Sequence, residues 1–227
     1  MDWFFPKECA GCNASGDYFC PNCISRIPQT ELVCPFCERP SLGGVTHPVC
    51  RRRYGLDGLW SLGAYQSPLK NAIQKLKYRF IPELAGVLVD VTLEYWARYQ
   101  PLLLDRIKKS GGKDWLVMPV PLHWQRQNWR GFNQSALLAK SLASKTGLSY
   151  AEVLKRDRVT RPQAKLDSYL RRLNIKGAFS LNPNFKVQNV NVLLIDDVWT
   201  TGSTLKECCY ALKKGGTKSV WALTIAR

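Results

Sequence analysis

The run Val192-Leu193-Leu194-Ile195-Asp196-Asp197-Val198-Trp199-Thr200-Thr201-Gly202-Ser203-Thr204-Leu205 leaves this chain few architectures. Four successive aliphatics suit a strand covered on both faces, the condition of a parallel sheet flanked by helices. Two carboxylates fall at the C-terminal end of that strand, where open parallel sheets bind ligands. The Thr/Gly/Ser turn then enters a helix reaching about Lys214 and closed by Gly215. Amides at a helix start lack intrahelical partners. With the hydroxyls of Thr200, Thr201, Ser203 and Thr204 they can surround a phosphomonoester, and Gly202 lets the backbone approach it. As acceptors, Asp196 and Asp197 match the 2′- and 3′-hydroxyls of a ribose, or Mg²⁺ with its waters. The plain alternative is a buried strand ending in an aspartate turn. A Walker B strand would need a glycine-lysine Walker A loop, and the chain has none.

A second strand, 116–120, leads into the loop Leu122-His123-Trp124-Gln125-Arg126-Gln127-Asn128-Trp129-Arg130-Gly131-Phe132-Asn133-Gln134. A helix over 135–145, capped by Gly147, follows. Amides and guanidinium groups are thus again set at a strand end. The planar fork of Arg126 or Arg130 fits phosphate oxygens, with the Gly131 amide beside it. His123 reads as a bystander rather than an acid or base. Trp124, Trp129 and Phe132 suit stacking on single-stranded bases or packing in a lid, equally well. Further strands are expected at 151–154 and 220–225. A helix over 68–79 has a core stripe of Leu69, Ala72, Ile73 and Leu76, and carries Lys70, Lys75, Lys77 and Arg79. That basic face reads as solvated, or as the flank of an anion site. Another helix opens at Pro82-Glu83 and is ended or kinked by Pro101, before a polar loop over 108–113. Residues 54–115 are expected to supply a hood and a flanking helix. Between 155 and 176 stand Lys155, Arg156, Arg158, Arg161, Lys165, Arg171, Arg172 and Lys176, opposed only by Asp157 and Asp167.

The cysteines set the N-terminal third apart. Cys9/Cys12, Cys20/Cys23 and Cys34/Cys37 are pairs with two intervening residues, and His47 with Cys50 makes a fourth. Such a knuckle turns both ligands toward one ion, and two knuckles close a tetrahedron. Sequential pairing gives a Cys9, Cys12, Cys20, Cys23 site and a Cys34, Cys37, His47, Cys50 site; spacing leaves crossed pairing open. Few large aliphatics lie here, so bound zinc stands in for a core. Cys208 and Cys209, adjacent in the last helix, read as packing residues. The N-terminus lacks a basic start and apolar run, and no stretch approaches a membrane span's length. A cytosolic location follows, where reducing conditions disfavour disulfides. A net charge of +16 attracts polyanions: nucleic acid, anionic lipid or phosphorylated metabolites.

The Asp196-Asp197 stretch resembles the fingerprint of type I phosphoribosyltransferases, which bind 5-phosphoribosyl-1-pyrophosphate (PRPP) with Mg²⁺. The order of zinc knuckles, Arg130-Gly131-Phe132-Asn133-Gln134, the arginine-rich segment and the Asp196-Asp197 loop resembles the ComF (competence protein F) family over essentially the whole chain. The resemblance implies an α/β fold of the type I phosphoribosyltransferase kind with helices on both faces of a parallel sheet. It divides the chain into a zinc module over 1–53 and a phosphoribosyltransferase-like domain with a hood over 54–227. It implies PRPP binding by Asp196, Asp197, Val198, Thr200, Thr201, Gly202, Ser203, Thr204, Arg126, Arg130 and Gly131. If the site is catalytic, Asp196, Asp197 and Arg130 carry the chemistry. It also implies single-stranded DNA binding, for which Arg126, Arg130, Lys165, Arg171 and Arg172 are the candidates. A cytosolic role in natural transformation follows, with a ComFA-like helicase and a DprA-like recombination mediator as partners. His47 departs from an expected cysteine and bears only on the second metal site.

Overall fold

A computed structural model describes residues 7–79, 81–99, 101–158 and 174–227. Its centre is a five-stranded, wholly parallel sheet in the order β1-β7-β6-β2-β3. The strands are β1 (Gly58–Gly63), β2 (Trp115–Pro119), β3 (Ser149–Tyr150), β6 (Asn191–Val198) and β7 (Ser219–Ala226). Helix α6 (Gln134–Thr146) carries the chain from β2 outward to β3. Helix α7 (Ser203–Lys214) carries it from β6 the opposite way, to β7. Crossovers in a parallel sheet are right-handed, so two that run in opposite directions lie on opposite faces. One core accordingly holds Leu193, Ile195 and Leu223 of the sheet with Leu138 and Leu142 of α6. The other holds Val192, Leu194 and Ala222 with Leu205, Cys208, Cys209 and Leu212 of α7. This is the α/β architecture expected. The strand order reverses between β2 and β6, and the crevice above that switch point is where open sheets take ligands.

On the α6 side also pack α2 (Leu69–Tyr78), α3 (Pro82–Tyr99) and α4 (Pro101–Lys109). Leu69, Ala72, Ile73 and Leu76 of α2 are fully buried, as their spacing requires. Three expectations are corrected. The 54–115 segment contains β1, an edge strand whose six residues are all buried, rather than hood and helix alone. The expected strand at 151–154 is replaced by β3 in the sheet and β4 (Leu154–Arg156), which pairs antiparallel with β5 (Phe179–Leu181) outside it. The arginine loop after β2 forms a short helix, α5 (Trp124–Arg130), capped by His123 and ended by Gly131 at φ 79°.

The cysteine segment does not stand apart. Its short α-helix, α1 (Pro21–Ser25), includes Cys23, and a 3-10 turn over Pro48–Cys50 includes Cys50. Cys9, Ala10, Phe19, Cys23 and Ile27 join the α6-side core, while Val33 joins the other. Asn71 of α2 donates to the Gly11 carbonyl at 3.0 Å, and Lys75 donates to Asn13 Oδ1 at 2.6 Å.

Candidate functional site

Above the switch point lies a cleft of about 740 Å³. Asp196, Asp197, Val198, Thr200, Gly202, Ser203 and Thr204 line it from β6 and the following loop, and Arg130 lines it from the end of α5. Two loops distant in sequence are thus brought to one cavity. Thr201 faces away, its hydroxyl 2.7 Å from Ser203 Oγ, and lines a smaller cavity with Lys206. Gly131 does not line the cleft; it ends α5. The side chain of Arg126, and Lys165, Arg171 and Arg172 altogether, lie outside the described residues.

The two acids differ in their surroundings because successive strand residues point to opposite faces. Asp197 is 5% exposed and its Oδ2 lies 3.1 Å from the ammonium of Lys77, on α2. Burial disfavours that ammonium, but the carboxylates of Asp197 and Asp196 outweigh it and hold its pKa above the ordinary lysine value. Asp196 Oδ1 accepts from the Ser135 hydroxyl at 2.9 Å, at the start of α6. Desolvation and the neighbouring charge of Asp197 together push the Asp196 carboxyl up to about 7, against the Ser135 hydrogen bond. A carboxyl whose folded pKa lies above its unfolded one binds extra protons when folded, so stability falls as pH rises from about 4 to about 7. Asp196→Asn removes this cost. Its gain in stability over the parent should be larger by on the order of 2 kcal/mol at pH 8 than at pH 5, read from urea midpoints. Equal gains at both pH values would show that Asp196 is ionised as easily as a free aspartate.

The turn that follows β6 is built on one contact. Trp199 is 2% exposed and points into the α7-side core, its backbone amide bonded to Ala226 of β7. Its indole therefore packs beneath the loop and does not line the cleft. Gly202 stands at φ 65° as the N-cap of α7 and has no side chain to cap it; the first amide of the helix, that of Ser203, donates to Thr201 Oγ1 at 3.4 Å. Leu205 at the first turn is buried, which fixes the helix start against the sheet. Arg130 donates to Gln134 Oε1 at 2.6 Å and lies 5.3 Å from the Tyr78 ring centroid. His123 is buried and accepts the Gln125 amide on Nδ1, the role of a cap. Sequence reasoning missed Ser135 and Tyr78. Lys77 was legible only as one of the four cations Lys70, Lys75, Lys77 and Arg79. Nothing in a sequence marks which helix lysine meets a strand-end acid.

The cysteines assemble as two sequential groups: Cys9, Cys12, Cys20, Cys23 and Cys34, Cys37, His47, Cys50, each with its ligand atoms within 4.8 Å of one another. Either group could hold a metal ion. Tetrahedral Zn–S bonds of ~2.3 Å set sulfurs about 3.8 Å apart. The Cys9–Cys23 and Cys12–Cys20 separations are 3.6 and 3.8 Å. His47 turns Nδ1 to within 3.4 Å of Cys37 Sγ, and its Nε2 donates to the Pro40 carbonyl at 3.1 Å, which fixes the tautomer a ligand needs. Burial opposes ionisation of Cys9, but amides of Cys20, Cys12 and Gly11 outweigh it and lower the thiol to about 6. Burial and the crowded neighbouring sulfurs push Cys23 the other way. Cys208 and Cys209 are fully buried in the α7-side core, and burial raises both thiols, as suits packing residues.

No described helix is long and apolar enough to cross a membrane. No family model matches the chain. Among solved structures, adenine phosphoribosyltransferase from Leishmania tarentolae overlaps 68% of this chain and 59% of its own, with 15% identity and a TM-score of 0.35. An overlap of that size carries no argument, and the architecture rests on the sheet order above. Sequence relatives are closer. The chain is 33% identical over 214 residues to DNA utilization protein YhgH of Salmonella typhimurium, covering 90% of this chain and 88% of the relative. It is 30% identical over 230 residues to competence protein F of Haemophilus influenzae, covering 96% and 90%. It is 27% identical over 220 residues to competence protein ComFC of Bacillus subtilis, covering 92% and 83%. Identity of 30–33% over nine-tenths or more of this chain shows that it belongs to the ComF family.

Proposed function

We propose that the cleft binds a ribose 5-phosphate group, as PRPP with Mg²⁺, in a protein that handles single-stranded DNA during its uptake and use. One observation carries this reading: the strand-end acids, Thr200, Gly202, Ser203, Thr204 and Arg130 line one cavity. The start of α7 and the hydroxyls of Thr200, Ser203 and Thr204 suit the 5-phosphate. Asp196 offers an acceptor to the ribose hydroxyls, and Asp197 holds Lys77 beside them. Arg130 suits the pyrophosphate. Mg²⁺, when bound with the ligand, would neutralise pyrophosphate charge. The relatives' names, competence protein F and DNA utilization protein, support the DNA role. In this reading residues 1–53 form a zinc module, with zinc the ion in both groups, and 54–227 the phosphoribosyltransferase-like domain. The protein would work in the cytoplasm, with a ComFA-like helicase and a DprA-like mediator as partners and Arg126, Arg130, Lys165, Arg171 and Arg172 on the DNA.

A titration of PRPP with Mg²⁺ by calorimetry tests the cleft. Asp196→Asn should weaken binding by about 100-fold, a loss of roughly 3 kcal/mol for a charge-assisted acceptor in a buried site. A parent protein that binds no PRPP, or a variant that binds as well, would sink the reading. A second reading, an active phosphoribosyltransferase, is favoured by the cleft's size, which is typical of pockets for whole small-molecule ligands. Arg130 and Lys77 would then stabilise the departing pyrophosphate. Pyrophosphate release with purine, pyrimidine or amine acceptors decides between binding and turnover.

A further inference from the structure

We infer that a single DNA strand crosses the outer face of α7 and the second cysteine group, its bases stacking on Phe36, Tyr54 and Tyr210. The inference rests on the DNA part of the function proposed above and names other residues than those expected for DNA.

Lys206, Tyr210 and Lys213 recur at helical spacing and so share one face of α7. Each meets the segment around the second cysteine group: Lys206 lies 3.9 Å from Glu38, the Tyr210 ring meets Tyr54 edge-on at 5.1 Å, and Lys213 lies 2.7 Å from Asp57. Lys206 also donates to the Thr201 carbonyl at 3.3 Å, which joins this face to the phosphate loop. Along it, guanidinium groups alternate with aromatic rings. Arg52 lies 4.7 Å from the Phe36 ring centroid and Arg53 5.2 Å from that of Tyr54. Phe36 and Tyr210 are 52% and 44% exposed, large for rings that a folded chain would otherwise cover. Arg51, Arg52 and Arg53 are all exposed. Glu38 and Asp57 are each taken by a lysine, and among the described residues none of the three arginines has an ion pair. The face therefore presents cations for a backbone and separate rings for bases, the combination that binds single strands without sequence preference. A duplex would bring the charge but hide the base faces. Guanidinium groups lie against the Phe36 and Tyr54 rings, which does not suit an apolar protein partner.

Fluorescence anisotropy with labelled oligo-dT of about 30 nucleotides, across a salt series, tests this on the full chain with its metal. Arg52→Ser with Arg53→Ser should weaken binding about tenfold near 0.1 M salt and make the log–log salt slope shallower by about 1.4, two phosphate contacts on a single strand. Phe36→Ala with Tyr210→Ala should weaken it at least about tenfold with the slope unchanged, because stacking releases no counterions. Both variants should keep the parent's metal content and PRPP affinity. Lys108→Ser with Lys109→Ser, on α4 across the sheet, should bind within about twofold of the parent, since such charges lie beyond a screening length of about 10 Å. The inference is overturned if either aromatic or arginine variant binds like the parent, if the α4 variant loses as much, or if duplex binds as tightly as single strand. A parent that takes up PRPP but no single strand would instead remove the DNA part of the proposed function.

Discussion

Gly202→Ala should destabilise the protein by roughly 3 kcal/mol and abolish ligand binding at the turn, although it adds one methyl group. Two independent effects add. The residue stands at φ 65°, a left-handed conformation that costs an L-residue about 1 kcal/mol or more. A Cβ there would also lie 2.2 Å from the Trp199 indole. The indole is held by the core on the other side, so it cannot swing away, and overpacking of this kind costs about 1–3 kcal/mol. The turn has to move instead, and with it the first amides of α7. Urea unfolding reads the first effect and PRPP titration the second. Trp199→Leu isolates the steric part. In the double variant the two costs should fall short of their sum by about 1–2 kcal/mol, because the smaller side chain admits the new methyl. Strictly additive costs would mean that the indole does not support the turn, leaving Trp199 without a role in it.

Removing metal should have an effect at least as large. Structural zinc contributes about 10–16 kcal/mol of apparent free energy in small zinc modules. Here the first group lies within the main core: Cys9 and Cys23 are 0% and 3% exposed, and Phe19 packs beside them. A strong chelator should therefore open residues 7–50 to proteolysis and also lower the melting temperature of the whole chain, because α2 loses the partners of Asn71 and Lys75. Cys23→Ser should reproduce both losses. His47→Ala should release metal from the second group alone and leave the melting transition closer to the parent's, since the core that takes in Cys9 and Cys23 includes none of the second group's four ligands. His47→Cys should keep the metal, which elemental analysis reads directly. Full metal content in Cys23→Ser, or protease resistance after chelation, would refute the zinc assignment.

Much of this protein was legible in its sequence, for a physical reason. Four consecutive aliphatics before two acids need cover on both sides, and only a parallel sheet between helices provides it. Knuckle spacing brings ligand pairs together because two intervening residues close a tight turn, whatever lies around them. The stripe of Leu69, Ala72, Ile73 and Leu76 follows from helical period. Each of these depends on residues near one another in the chain. What the tertiary structure decided depends on residues far apart. The edge strand β1 is read from Gly58-Leu59-Trp60-Ser61-Leu62-Gly63 only once β7 is known to lie beside it. Sequential rather than crossed pairing of the cysteines required coordinates, because spacing alone permits both. The bulk of Trp199 beneath the turn made sense only when its side chain was found in the core. Local pattern likewise treated Asp196 and Asp197 as alike. The strand's alternation turned the two side chains apart, and the packing of α6 and α2 on the sheet gave Asp196 to Ser135 and Asp197 to Lys77. A residue's type and neighbours fix what chemistry it can do, and the packing of distant helices fixes which group it does it with.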